Sequence, residues 1–223
     1  MNAVNATKYK QAVWYAVEGD MRFLSHRDTV RLWQRALTRA EAPASFSQGF
    51  NPHMRLTVAL PRSVGTASRA ELLVMELTES WSSEKLISAL RCALPAGIEI
   101  LEVCAIAASV KAHPMWVRYQ IHLSKEADRE QITHSLAKYQ QASTWCIHRP
   151  RRRRHPERTI DLKQVITELE LKGDGLYCTL DLSEQVTARL DEVMGIFAIH
   201  SPEFMLQAER IAVGYAEELR RLN

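Results

Sequence analysis

Apolar and polar positions recur along this chain with two periods, and the switches between them divide it into strands and helices. Residues 11–18 (QAVWYAVE) are mostly apolar and predict a strand. A helix follows, with Ser25 as its cap and Asp28 in the first turn, where the helix dipole favours an acid. Val30, Trp33, Leu37 and Ala40 fall at i, i+3, i+7 and i+10, a single buried stripe that ends near residue 41, before Pro43. Residues 44–47 and 55–60 predict short strands, 72–78 a further strand, 82–93 a helix begun by Ser82, and 98–106 another strand.

The same order then returns. Residues 116–123 predict a strand, with Tyr119 and Ile121 alternating, and 127–140 a helix. Short strands are expected at 144–148 and 159–162, then a hairpin of 165–171 and 176–182 across the turn-forming Lys172-Gly173-Asp174-Gly175. Residues 185–198 predict a helix and 203–213 the last strand. The expected fold class is α+β: two tandem ferredoxin-like (βαββαβ) halves, residues 8–107 and 114–215, with helices packed on antiparallel sheets. The duplication is one of element order, with no residue-level repeat.

With 46% hydrophobic and 25% charged residues, 223 residues hold enough apolar material for real cores. No apolar run approaches the roughly 20 residues that span a bilayer, and residues 1–6 lack the character of a signal peptide. A cytoplasmic protein with no membrane association is expected. The four cysteines (92, 104, 146, 178) are scattered singly in apolar patterns, which predicts buried inert thiols and supports neither a zinc site nor an iron–sulfur cradle. No metal or cofactor is expected.

Charge changes the picture more by position than by amount. Residues 22–62 carry seven arginines (22, 27, 31, 35, 39, 55, 62) against Asp28 and Glu41, a local +5 in a chain of net +3. Arg27, Arg31, Arg35 and Arg39 step by four along the first helix and form a stripe opposite the apolar one. Guanidinium groups so arranged repel one another and invite an anion, most often a phosphate backbone, although a solvated helix face has the same pattern. Arg22 and Arg55 adjoin the stripe and extend the candidate surface. The loop Gln48-Gly49-Phe50-Asn51-Pro52-His53 lies between two predicted strands, with Gly49 and Asn-Pro as turn formers. Phe50 can stack on a base while Gln48, Asn51 and His53 donate to it; the plainer reading is a structural hairpin with Phe50 buried.

Ser25-His26-Arg27-Asp28 holds the letters of a catalytic triad, but neighbours at a helix start diverge and cannot converge as one. His26 and His53 are weak candidates for an acid–base pair acting on a ribose 2′-hydroxyl. A second basic run, residues 148–158, has six arginines in eleven residues, among them Arg151, Arg152, Arg153 and Arg154. It reads as an exposed loop able to wrap an anionic polymer.

Several of these stretches together resemble a known bacterial family, the radical-SAM-linked proteins. They are Arg22 to Asp28 (RFLSHRD), Phe46 to His53 (FSQGFNPH), Ala59-Leu60-Pro61 and Val64-Gly65, with Arg158-Thr159-Ile160-Asp161-Leu162 as a looser continuation. The family is a domain of unknown function found beside, or fused to, a radical SAM protein; Met54 departs from its pattern, which tends to proline. The resemblance implies a radical SAM partner and no established activity. Lacking the Cys-x-x-x-Cys-x-x-Cys motif, this chain would leave any radical chemistry to that partner. The tandem layout is also similar to that of the repeat-associated mystery proteins that process CRISPR RNA, but the single glycine of residues 211–215 departs from their glycine-rich loop. The reading that follows is an accessory protein that binds RNA (tRNA or rRNA) and presents it to a radical SAM enzyme. A metal-independent endoribonuclease using His26 and His53, or a pure protein–protein adaptor, are the alternatives.

Overall fold

The computed structural model describes residues 9–123, 129–150, 157–184, 186–199, 204–216 and 219. The chain is a mixed α+β protein of two compact units, Met1–His113 with Tyr215–Asn223, and Pro114–Gly214.

In the first unit, strand β1 (Tyr9–Val17) leads through a 3-10 turn (Gly19–Phe23) to helix α1 (His26–Arg39). Then come β2 (Leu56–Val58), β3 (Ala67–Leu77), α2 (Ser83–Ala93) and β4 (Ile98–Ile106). The strands lie in the order β4-β1-β3, with β2 also paired to β3. All these pairings are antiparallel, with Tyr9 opposite Leu77 and Lys10 opposite Ile106. From Ala12 to Val17 β1 is apolar with little alternation, because both its faces are covered. Val13, Tyr15 and Val17 face one cluster with Trp33, Leu37, Leu86 and Leu90 of the helices, while Ala12 and Trp14 join Leu72, Val74, Val110 and Leu219 on the other side.

Helix α1 starts where its cap dictates. Ser25 Oγ accepts from the Asp28 amide at 3.2 Å, and Ser82 does the same for the Lys85 amide at the start of α2. Glu41 adopts a left-handed conformation (φ 50°) that ends the helix before Pro43. The buried face is broader than the predicted stripe: Thr29 and Ala36 join Trp33 and Leu37, while Val30 and Ala40 are only partly covered. Trp33 is fully buried, its ring edge-on to Tyr15 at 4.8 Å. Covering its side chain stabilises the unit by about 2–3 kcal/mol.

The second unit runs β5 (Pro114–His122), α3 (Arg129–Gln141), β6 (Cys146–Arg149), β7 (Arg158–Asp161), α4 (Leu162–Val165), β8 (Ile166–Lys172), β9 (Gly175–Asp181), α5 (Leu190–Gly195), α6 (Phe204–Gln207) and β10 (Ala208–Tyr215). Its sheet has the order β10-β5-β9-β8, with β6 and β7 forming a separate ribbon. The β8–β9 hairpin turns at Gly173 (φ 52°), between the paired Lys172 and Gly175. Val117, Tyr119 and Ile121 of β5 and Leu176, Cys178 and Leu180 of β9 are buried, as are Ile132, Leu136 and Tyr139 of α3.

Several expectations are corrected. Residues 44–47 form no strand, only isolated bridges from Ala44 to Leu77 and Phe46 to Met54. β3 begins earlier than its apolar run because polar Ser68 and Glu71 are buried within it. The helix expected over 185–198 is reduced to α5, since the Glu192 carboxylate accepts from the Arg189 amide at 2.7 Å and the Thr187 carbonyl is taken by Arg149. The strand expected over 203–213 starts only at Ala208, after the short α6. Cys92 and Cys146 are exposed, so only Cys178 is the fully buried thiol that was expected.

Candidate functional site

The first unit carries the sequence-predicted surface. Arg27, Arg31, Arg35 and Arg39 are all exposed along α1, on the side away from Trp33 and Leu37. They are not equivalent. Arg31 lies 3.4 Å from the Asp28 carboxylate, both side chains half-exposed, and Arg39 donates to the Ala93 carbonyl at the end of α2. Arg27 and Arg35 make no ion pair or hydrogen bond with any described residue. Arg31, Gln34, Arg35, Thr38 and Arg39 line a shallow hollow of about 380 Å³. Asp28 is held below the usual carboxylate range, chiefly by the hydrogen bond from Ser25 Oγ (2.7 Å) and then by Arg31 and Arg27. It therefore offsets part of the stripe's charge at its N-terminal end and leaves the C-terminal half cationic.

The other candidates sort into two groups. Arg22 stacks on Phe23, 5.2 Å from the ring centroid, and its carbonyl accepts from Arg62 at 2.7 Å and from the Gly65 amide at 2.9 Å. Arg62 also reaches the Met21 and Thr66 carbonyls, so it ties the 3-10 turn to the start of β3. Arg55 lies 3.6 Å from Glu76, in a hollow of about 410 Å³ with Lys10 and Lys111. Arg55 and Arg62 thus have internal partners, which local charge counting could not reveal.

The loop beyond α1 is closed at its base. The Ser47 amide donates to the His53 carbonyl at 2.8 Å, and the His53 amide donates to Ser47 Oγ at 2.9 Å. Gly49 takes φ 130°, which a side chain would strain. Gln48, Asn51 and His53 are exposed, and Phe50 is fully exposed (107%), which removes the reading in which it is buried.

His26 and His53 are not brought together. His26 opens α1, whereas Ser45 and Arg55, flanking the loop of His53, bond to Glu76 at the far end of the sheet from the 3-10 turn. A 14-residue helix rises about 20 Å between those ends, far beyond the reach of a shared proton transfer.

Of the second basic run, Arg151, Arg152, Arg153 and Arg154 lie outside the described residues. The flanking residues form the ribbon β6–β7, in which Arg149 faces Arg158. Arg149 is no part of a free cationic loop: it forks onto Glu192, both bonds at 2.5 Å, and donates to the Thr187 carbonyl at 2.7 Å. That pairing with Glu192 raises its pKa further.

One hollow went unread in the sequence. It has a volume of about 620 Å³ and lies on the outer face of the second unit's sheet, lined by Trp116, Arg118, Glu168, Thr179 and Asp181 among others. Its signal was present: with Val117, Tyr119 and Ile121 buried, the period of two sends Trp116 and Arg118 to the opposite face. Among the described residues, no cluster of three or more His, Cys, Asp or Glu could hold a metal, and no helix is long and apolar enough to cross a membrane.

The family model for DUF2344, described as an uncharacterized protein conserved in bacteria, matches residues 10–193, across both units. The chain belongs to this family. No curated protein matches it. Among solved structures it is similar to an unknown protein from Galdieria sulphuraria, at 13% identity over 94% of this chain and 99% of that one. The TM-score of 0.26 is too low to carry an argument about fold.

Proposed function

We propose that this DUF2344 protein is a non-catalytic RNA-binding accessory protein of the cytoplasm, which holds structured RNA, tRNA or rRNA, for a partner radical SAM enzyme. The observation that carries the reading is the α1 stripe: four exposed arginines, two with no ion pair or hydrogen bond among the described residues, on a helix that leads through residues 40–46 to the closed loop of Phe50. Guanidinium groups suit phosphates bidentately, and an exposed ring suits an unpaired base. The motifs around Arg22 and Phe46 that resemble radical-SAM-linked proteins supply the partner. The strand order of each unit, β4-β1-β3 with β2 beyond and β10-β5-β9-β8, supports reading both as ferredoxin-like halves.

The test is equilibrium binding of labelled tRNA and rRNA fragments across a salt series. Each arginine–phosphate contact contributes about 0.7–0.9 to the slope of log K against log salt, so the stripe predicts a slope of about −3. Arg27→Glu with Arg35→Glu should flatten it by about 1.5–2 and weaken binding throughout. Binding that is absent, or that keeps its slope in the double variant, overturns the reading. Loss of a co-purifying protein in that variant, with no change in RNA binding, would instead make α1 a protein-docking face.

A further inference from the structure

The hollow on the second unit's outer sheet face has a chemistry unlike the α1 surface. Trp116 and Asp181 are directly opposed across the β5–β9 ladder, as are Arg118 and Thr179 one row on. Opposed residues point to one face with their Cβ atoms about 5 Å apart, so an indole and a carboxylate stand side by side at the mouth. The Trp116 ring lies against Gly214 of β10, where an added Cβ would fall 2.0 Å from Nε1. Backbone thus takes one side of the ring, while 40% of the residue stays exposed.

The polar groups around the ring are not balanced. Arg118 is engaged by Glu168 at 3.3 Å and Glu170 at 2.9 Å, and Lys172 also serves Glu170, at 2.7 Å. Thr179 Oγ1 donates to Glu168 at 2.9 Å. The Ser183 amide and hydroxyl both donate to Asp181 Oδ1, at 2.7 and 2.6 Å, which holds that carboxyl below its usual range. Each of these donors already serves a carboxylate. Three carboxylates against Arg118 and Lys172 leave one negative charge in surplus, and neither Ser183 bond falls on Asp181 Oδ2. An anionic ligand would find the terminal nitrogens of Arg118 and the other donors committed; Arg118 Nε lacks a partner but is buried. A ligand must bring its own donors, a positive charge and a flat face for the indole.

We infer that this hollow binds a guanidinium group, presented as an arginine side chain by a partner peptide, stacked on Trp116 and forked onto Asp181. A guanidinium meets all three demands at once: it stacks on aromatic faces, is always charged, and matches a carboxylate with paired donors. The volume of about 620 Å³ is within the range of sites that enclose a small ligand. The inference does not rest on the RNA reading, whose residues are in the other unit.

The test uses the full chain, with agmatine as the minimal guanidinium probe, a short arginine-containing peptide, and guanosine monophosphate as the nucleobase comparator. Titration calorimetry gives affinities, and the Trp116 indole N–H resonance, assigned by its loss in Trp116→Phe, reports the site. Agmatine and the peptide should shift that resonance. Trp116→Leu and Asp181→Asn should each weaken binding at least about ten-fold, while Trp116→Phe retains most of it. Asp181→Asn keeps an oxygen for Ser183, so it tests the charge without dismantling the strand end. Absence of agmatine binding, or binding unchanged in both Trp116→Leu and Asp181→Asn, overturns the inference. So does guanosine monophosphate binding at Trp116 in preference to agmatine, which would make this face a base-stacking platform.

Discussion

Replacing Arg149 with methionine should destabilise the second unit by about 3 kcal/mol, a large effect for one member of a run of arginines. Methionine keeps much of the apolar stem and removes the guanidinium. Three hydrogen bonds go with it: two onto the Glu192 carboxylate and one to the Thr187 carbonyl. The arginine is 23% exposed and the glutamate 14%, so most of the pair is out of water and surface screening does not apply in full. Breaking a fully buried pair costs about 3–5 kcal/mol because the remaining charge is stranded, and partial exposure here places the cost at the lower end. Urea denaturation followed by circular dichroism should show a midpoint lower by about 1 M. Arg149→Met combined with Glu192→Leu should recover much of the loss, because no charge is then left unpaired. A single variant within about 0.5 kcal/mol of the parent, with no coupling in the double-mutant cycle, would refute the argument and reduce the pair to an ordinary surface contact.

Gly97→Ala should cost about 2 kcal/mol, since φ is +88° and the new Cβ would sit 2.7 Å from the Glu18 carbonyl oxygen; an unchanged thermal midpoint would contradict this. Thiol labelling of the native chain should be fast at Cys92 and Cys146 and absent at Cys178, which is fully buried and whose thiol is pushed up to about 12 by that burial. Labelling at Cys178 on the timescale of the exposed pair would show that β9 opens far more readily than its packing implies.

Much of this architecture was legible because its signals are local. Ser25 and Ser82 announce α1 and α2, since a capping hydroxyl needs only the amide three residues on. Strand β4 coincides with its predicted bounds, and the β8–β9 turn with its glycine-rich composition. The failures share a cause in distance along the chain. The predicted helix includes residues 186–189, yet Arg149, some 40 residues earlier, takes the Thr187 carbonyl that a longer helix would use. The same contact removes Arg149 from the basic cluster in which composition had placed it. Spacing put the α1 arginines on the exposed side of the helix, where they lie, but did not show which of them Asp28 and the Ala93 carbonyl would occupy. Exposure of Cys92 was missed because an apolar neighbourhood in sequence does not say which side of α2 meets water.

The clasp between Ser47 and His53 bears on how the loop would meet any ligand. Two short bonds at its neck limit the conformations the five residues between can explore. The ordering cost that a free loop would meet on binding has thus been met in part by folding. Phe50 stands out in water on a loop whose two ends are pinned, so it is the backbone part of that cost that is reduced. A ligand of that loop would then be selected by shape, with fast engagement and little thermodynamic signature of chain ordering.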